Sequence, residues 1–203
     1  MPVSGVKIDR HDLRSTHEEA DILIIQHAIS SSLSGKSVRV VCDDTDVFIL
    51  LVHFYNSKCE GSNYAPMVMS SPMTQRAVID IRATADAHRD IADDLPAIHG
   101  LSGADTIASL HGIGKATVLK IYMQGGFSVS KVGDVEADMQ SVEAQSIKFI
   151  CAAYGKVAES CKSMTECRVK MWRHKIGKSG ASSVKLCTLP PVMHSSKIST
   201  DAI

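Results

Sequence analysis

The stretch Val38-Arg39-Val40-Val41-Cys42-Asp43-Asp44-Thr45-Asp46 decides the fold. Its β-branched run reads as a short buried strand, and three carboxylates follow it at once. The carboxyl end of a strand is where open α/β sheets collect ligands. Upstream, Ser15-Thr16-His17-Glu18 offers capping side chains before Ile22, Leu23, Ile25, Ala28 and Ile29. That spacing predicts a helix with one buried face, broken between Ser30 and Gly35. Downstream, Val47 to Tyr55 is apolar, and periodicity leaves it open between helix and strand.

Residues 56 to 75 read as a loop, with a strand candidate at Ala65–Met69, and Val78–Ile81 is another. A helix is expected across roughly Thr84 to His99, a loop, helical turn and hairpin from Gly100 to Gly114, and a helix from Lys115 to Met123 that Gly125-Gly126 ends. Residues 141 to 154 predict one more helix. From about Gly177 the chain is rich in Ser, Lys and Pro and is expected to be loosely ordered. The expected class is α/β.

The formal net charge of zero hides an asymmetry. Residues 1 to 110 carry 9 Lys and Arg against 15 Asp and Glu, whereas 111 to 203 carry 13 against 7. An acidic half that gathers metal beside a basic half that meets phosphate suits a nucleic-acid enzyme; a solvated surface of uneven charge is the plainer alternative. The opening residues show no signal peptide, and no apolar run reaches 18 residues, so an intracellular, reducing setting is expected and no membrane partner. The six cysteines form no CxxC pair. Cys161, Cys167, His174 and Cys187 could ligate zinc, but their spacing fits no common zinc module and free thiols are the expectation.

Acidic residues recur at Glu19 and Asp21, at Asp44 and Asp46, and at Asp105, which stands seven residues before Gly112-Ile113-Gly114-Lys115-Ala116-Thr117. In this order they resemble the PIN-like fold of the flap endonuclease and 5′-nuclease superfamily. Glu19-Ala20-Asp21 matches its Glu-Ala-Asp segment, Asp44-Thr45-Asp46 its Asp-x-Asp after a central strand, and Asp105 the aspartate before its Gly-x-Gly hairpin. Closer still is a group of metazoan, often transposon-associated PIN-like proteins, many of whose copies are decayed. Their segments are matched by His17 to Asp21, Asp44 to Val47, His99 to Thr106, Ala153-Tyr154-Gly155, Arg168 to Trp172 and Leu189-Pro190-Pro191.

The resemblance implies a PIN-like parallel sheet flanked by helices, a helix-hairpin-helix-like turn and a helical, basic C-terminal appendage. It implies a flexible stretch over 1–16, a nuclease core over 17–123, a helical extension over 124–176 and a tail over 177–203. Glu19, Asp21, Asp44, Asp46 and Asp105 would hold Mg²⁺ or Mn²⁺, and Gly112, Ile113, Gly114, Lys115 and Thr117 would contact the DNA backbone without reading sequence. A DNA-directed role would place the protein in the nucleus rather than the cytoplasm. Two departures stand beside these matches. The superfamily's opening aspartate sits on an apolar strand, whereas Asp9 and Asp12 lie in a polar stretch, so an N-terminally incomplete site is expected. Ser102 stands where bacterial 5′-nucleases carry an aspartate.

Hard divalent cations suit sparse carboxylate sets, and two cations can clamp both oxygens of a phosphoryl displacement. The plainer reading of the Asp-rich turn is that its carboxylates cap the next helix. Glu19 and Asp21 could merely favour a helix dipole, and a lone Gly-x-Gly is often only a turn. Between Lys162 and Lys185 seven basic residues face only Glu166, with Trp172 among them. Phosphate contact with base stacking and a solvated face with Trp172 as buried anchor both remain open. His99, His111 and His27 read as structural or packed residues. A truncated or decayed domain that binds nucleic acid or protein without chemistry is the alternative to an enzyme.

Overall fold

The computed structural model describes residues 20–58, 64–73, 76–104, 109–179 and 183–192. They fall into two compact units that divide between Asp93 and Asp94.

In the first unit the helix α1 (Ala20–Leu33) buries Ile25, Ala28, Ile29 and Ser32, the i, i+3, i+4, i+7 pattern of a one-faced helix. It runs through the serines expected to break it. Ser32 Oγ donates to Ala65 O at 2.9 Å and Ser34 Oγ to Ser30 O at 2.8 Å, so the hydroxyls are satisfied by carbonyls and do not compete with the helix. The turn then closes on Gly35, whose φ of 75° suits glycine. Next comes β1 (Val38–Val41), followed by α2 (Thr45–Lys58), which settles the open reading of Val47 to Tyr55 as helix. Val47, Leu51 and Tyr55 lie four apart and are buried on one side.

β2 (Met67–Ser70) pairs parallel with β1, Val38 opposite Met67 and Val41 opposite Ser70. β3 (Ile79–Asp80) pairs antiparallel with β2 through Val68–Asp80 and Met69–Ile79. The sheet is therefore mixed, in the order β1-β2-β3, and not wholly parallel as expected. A two-residue strand that immediately enters α3 (Ile81–Ala87) follows β2 by a short connection, and short connections favour antiparallel return. β1 is also less buried than its composition suggests: Val40 is covered, but Val41 is 61% exposed. It sits at one edge of the sheet among the described residues.

The helix expected over Thr84 to His99 is two helices, α3 and, in the second unit, α4 (Leu95–Ser102). Pro96 explains the break, because proline lacks the N–H that a helix interior needs and fits the first turn, where it stands in α4. The second unit continues with α5 (Lys115–Met123), α6 (Met139–Ala153), α7 (Lys156–Glu159), α8 (Met164–Ser179) and a 3-10 turn at Leu186–Thr188. Its core joins Ile98, Leu110, Val118, Phe149, Cys167 and Leu189. Residues of α4 and α5 thus share one core with the C-terminal helices.

The expected loose tail is also shorter. α8 runs past Gly177, and Leu189 and Pro190 are buried. Arg168 donates to Pro190 O, and Lys175 Nζ donates to Thr188 O at 2.9 Å. The expectations for 1–16 and 193–203 lie outside the described residues. Among the described residues no helix is long and apolar enough to cross a membrane.

Candidate functional site

β1 delivers its chain into the acidic turn in a fixed register. Cys42 N–H donates to Ser70 O at 3.0 Å, which extends the pairing with β2, and Asp44 N–H then meets Cys42 Sγ at 3.3 Å. Asp44 Oδ1 accepts from Asp46 N–H at 2.8 Å, and Asp44 O accepts from Phe48 N–H at 3.2 Å. Asp44 therefore begins α2, using one carboxylate oxygen on the helix's otherwise unsatisfied donors. Asp46 is half-buried in the first turn of the same helix.

Asp43 points to other work. Its carboxylate meets Arg76 at 3.2 Å and accepts from Ser71 Oγ at 2.9 Å, tying the turn after β1 to the segment after β2. Ser71 Oγ in turn accepts from Met73 N–H at 2.9 Å. Arg76 carries no motif, so only the fold could reveal it as Asp43's partner.

Of the remaining expected ligands, Asp21 lies half-buried in the first turn of α1. Glu19 and Asp105 lie outside the described residues. Among the described residues no three Asp, Glu, His or Cys side chains gather closely enough to hold a metal ion. What remains is a pair, Asp44 and Asp46. Two carboxylates with water in the other positions match the way Mg²⁺ is bound, so the donor chemistry fits a hard cation while the number of described donors is small.

A groove of about 330 Å³ runs along β1, lined by Ile24, His27, Ala28 and Ser31 of α1 and by Val38 to Val41. It has no acidic wall. His27, expected to be packed, is exposed at its rim.

In the second unit, His99 and Ser102 are buried, and Ser102 Oγ donates to His99 O at 2.7 Å. A Cβ on Gly103 would lie 2.4 Å from Ser109 Cα, and its φ is 108°. Only glycine fits there, because the backbone of Ser109 closes on Gly103 too tightly for a side chain. The buried Ser102 hydroxyl is thus satisfied within α4, by a carbonyl to which an ionised carboxylate could not donate.

The Gly112–Thr117 turn keeps its glycines outward and its apolar residues inward. Gly112 has φ of 73°, Leu110 is buried and Ile113 packs against the core. Gly114 caps α5 with no side-chain hydrogen bond, so the helix start presents bare backbone. Lys115 lies back over α4, its Nζ 3.0 Å from Nε2 and 3.1 Å from Nδ1 of His99.

The cysteines gather differently from the zinc set considered above. The five described cysteines are free thiols. Cys151, Cys161 and Cys167 meet in the helical core, while Cys187 is exposed and His174 only half-buried. The neighbouring Cys151 thiol, together with burial, holds the proton of Cys167 and pushes its pKa up; burial likewise raises Cys161. Spacing alone gave no signal for this trio. Of the basic run, Lys170 is paired with Glu166 at 3.0 Å, and Trp172 is 44% exposed and so is not a buried anchor.

No family model, curated protein or solved structure matches the chain.

Proposed function

We propose that this chain carries a PIN-like, divalent-metal-dependent nuclease domain that hydrolyses DNA phosphodiesters. The observation that supports it is the position of Asp44 and Asp46 at the carboxyl end of β1, inside a parallel β1–α2–β2 crossover, the place where α/β folds collect ligands. Asp44 and Asp46 would hold Mg²⁺ or Mn²⁺, and the resemblance gives Glu19, Asp21 and Asp105 the same task. Such a cation, when bound, polarises a phosphate oxygen and lowers the pKa of a coordinated water. The chain's own contribution is orientation: the Asp46 N–H fixes the Asp44 carboxylate, and Asp43 with Arg76 and Ser71 holds the turn. The bare N-terminus of α5 and Gly112–Thr117 would meet a phosphate without reading sequence, consistent with a helix-hairpin-helix-like role and nuclear DNA as substrate.

The test is cleavage of flap and single-stranded DNA by the purified protein with Mg²⁺ and with Mn²⁺, beside Asp46→Asn. Cleavage lost in the variant supports the reading; none with either metal, or none lost in the variant, overturns it. Lys115→Ala should weaken DNA binding and lower the salt slope by about 1.

One observation favours a second reading, a decayed domain that binds nucleic acid without cutting it. Asp44 Oδ1 already serves the α2 backbone at 2.8 Å, a complete structural role by itself. Under that reading Asp44→Asn would leave DNA binding intact with no activity to lose.

A further inference from the structure

Trp172 is the single tryptophan of the chain, and it stands 44% exposed on α8. Large apolar side chains are usually covered, and the inward face of α8 obeys that rule: Met164, Cys167 and Met171 are all buried in the helical core. The opposite side of the helix carries Thr165, Val169 and Arg173, all exposed, Val169 at 42%. Trp172 sits at the margin of this outward face.

Along α8 itself the charge flanking the indole has one sign. Arg168, one turn before Trp172, donates to the carbonyl of Pro190, an acceptor with no formal charge that leaves the guanidinium positive. Arg173, on the other flank, is exposed. Glu166 is the one acidic residue between Lys162 and Lys185, and it is neutralised where it stands. Lys170 Nζ meets it at 3.0 Å, and it accepts from Lys162 N–H at 3.0 Å, which holds its pKa below the ordinary carboxylate range. No bare carboxylate on this helix opposes a phosphate. The unit as a whole carries 13 Lys and Arg against 9 Asp and Glu over residues 94–203.

An exposed aromatic flanked by guanidinium groups matches one kind of partner closely. Every nucleobase has a π-face to stack, and the strand's phosphates lie on both sides of it. A protein partner of ordinary composition would use the apolar stripe but leave the cations without a counterpart. We propose that the outward face of α8 binds a single strand of nucleic acid, with a base stacked on Trp172 and the adjoining phosphates met by Arg168 and Arg173. This surface needs no chemistry from Asp44 or Asp46.

The single tryptophan makes the test direct, because its emission reports this face alone. The full chain carrying Asp46→Asn, so that no probe is cut, is titrated with oligo-dT, oligo-rU and a polyphosphate of equal charge. Quenching of Trp172 by either oligonucleotide and not by polyphosphate is the expected result, with dT against rU showing whether DNA or RNA is preferred. Arg173→Glu, which keeps the fluorophore, should weaken binding by about tenfold or more and lower the salt slope by roughly 0.7 per lost phosphate contact. Trp172→Leu, checked for fold by circular dichroism, should weaken gel-shift binding by a similar factor. Oligonucleotide binding with unchanged emission, equal quenching by polyphosphate, insensitivity to both substitutions or absence of binding would each overturn the proposal. Loss of cleavage in Asp46→Asn with quenching retained would separate this surface from the nuclease reading.

Discussion

The two units solve the placing of charge in different ways. Residues 1–93 carry 9 Lys and Arg against 13 Asp and Glu, and residues 94–203 the reverse, 13 against 9. In the sheet unit three aspartates at element ends bond to neighbouring backbone or side chains, Asp44 to α2, Asp80 to α3 and Asp43 to Arg76. In the helical unit several cations reach across the fold to main-chain oxygens, Arg168 to Pro190, Lys175 to Thr188 and Lys148 to Gly126. A carboxylate bonded to a local N–H fixes a turn, whereas a long cation bonded to a carbonyl pins a distant segment and keeps its charge. The sheet unit thereby uses carboxylates to fix local turns, and the helical unit uses long cations to join distant segments.

Thiol access gives the widest contrast. Alkylation of the native protein should modify Cys187 at once and spare Cys151, Cys161 and Cys167, whose reaction waits for the helical core to open. With ordinary domain stability the difference in rate should exceed about 10³-fold. Peptide mapping after timed quenching measures it, and equal rates would mean that the thiol trio is not a core.

Cavity substitutions come next. Phe149 is 1% exposed and meets Tyr122 and Phe127 edge-on at ring-centroid distances of 5.9 and 6.0 Å. Phe149→Ala should cost about 3–5 kcal/mol, and Leu51→Ala, fully buried on α2, about 2–5 kcal/mol. Hydrogen exchange should place the first loss in 94–192 and the second in 20–93. Protection lost everywhere in both variants would abolish the division into units as a statement about stability.

The acidic turn provides a finer test. Asp46→Asn should lower metal-dependent cleavage by about 10²-fold or more, the scale for removing one charge-stabilising group at a reacting phosphate. Asp43→Asn should lower cleavage far less, because it weakens a largely exposed ion pair worth under about 1 kcal/mol while the amide oxygen still accepts from Ser71 Oγ and keeps the turn tied. The reverse ranking would transfer the metal reading to Asp43.

Much of this was legible from residues alone. Lys115–Met123 could be read end to end because glycines punctuate both sides, and the acidic turn after Val41 stands where a strand followed by carboxylates would put it. The reading failed where distant contacts decide. Apolar periodicity runs continuously through residues 84–99, and the chain splits there because Pro96 can occupy only a first turn and because α3 and α4 bury their faces in different cores. The segment after Gly177 reads as polar tail until Leu189 and Pro190 are seen to be buried, an outcome fixed by Arg168 twenty-two residues away. The cysteine trio combines intervals of ten and six residues that match no helix face or metal module.

The smallest effect concerns acid stability of the helical unit. Asp138 caps α6, its Oδ1 accepting from Ser141 N–H at 2.9 Å, and the hydrogen bonds from Ser141 hold its pKa below the ordinary carboxylate value. Asp134 is lowered in the same way, chiefly by Glu136 N–H and then by Lys131. A carboxylate with a depressed folded pKa contributes stability that is present above its unfolded value of about 3.9 and disappears as pH falls through the folded value. The helical unit should therefore lose stability progressively below pH about 4. Asp138→Asn retains an acceptor for Ser141 N–H but removes the titration. Its melting temperature should stay near that of the parent at pH 7, with a shallower decline between pH 4 and pH 2. An unchanged acid slope would show that the cap works through geometry alone, and that the charge on Asp138 contributes nothing to holding α6.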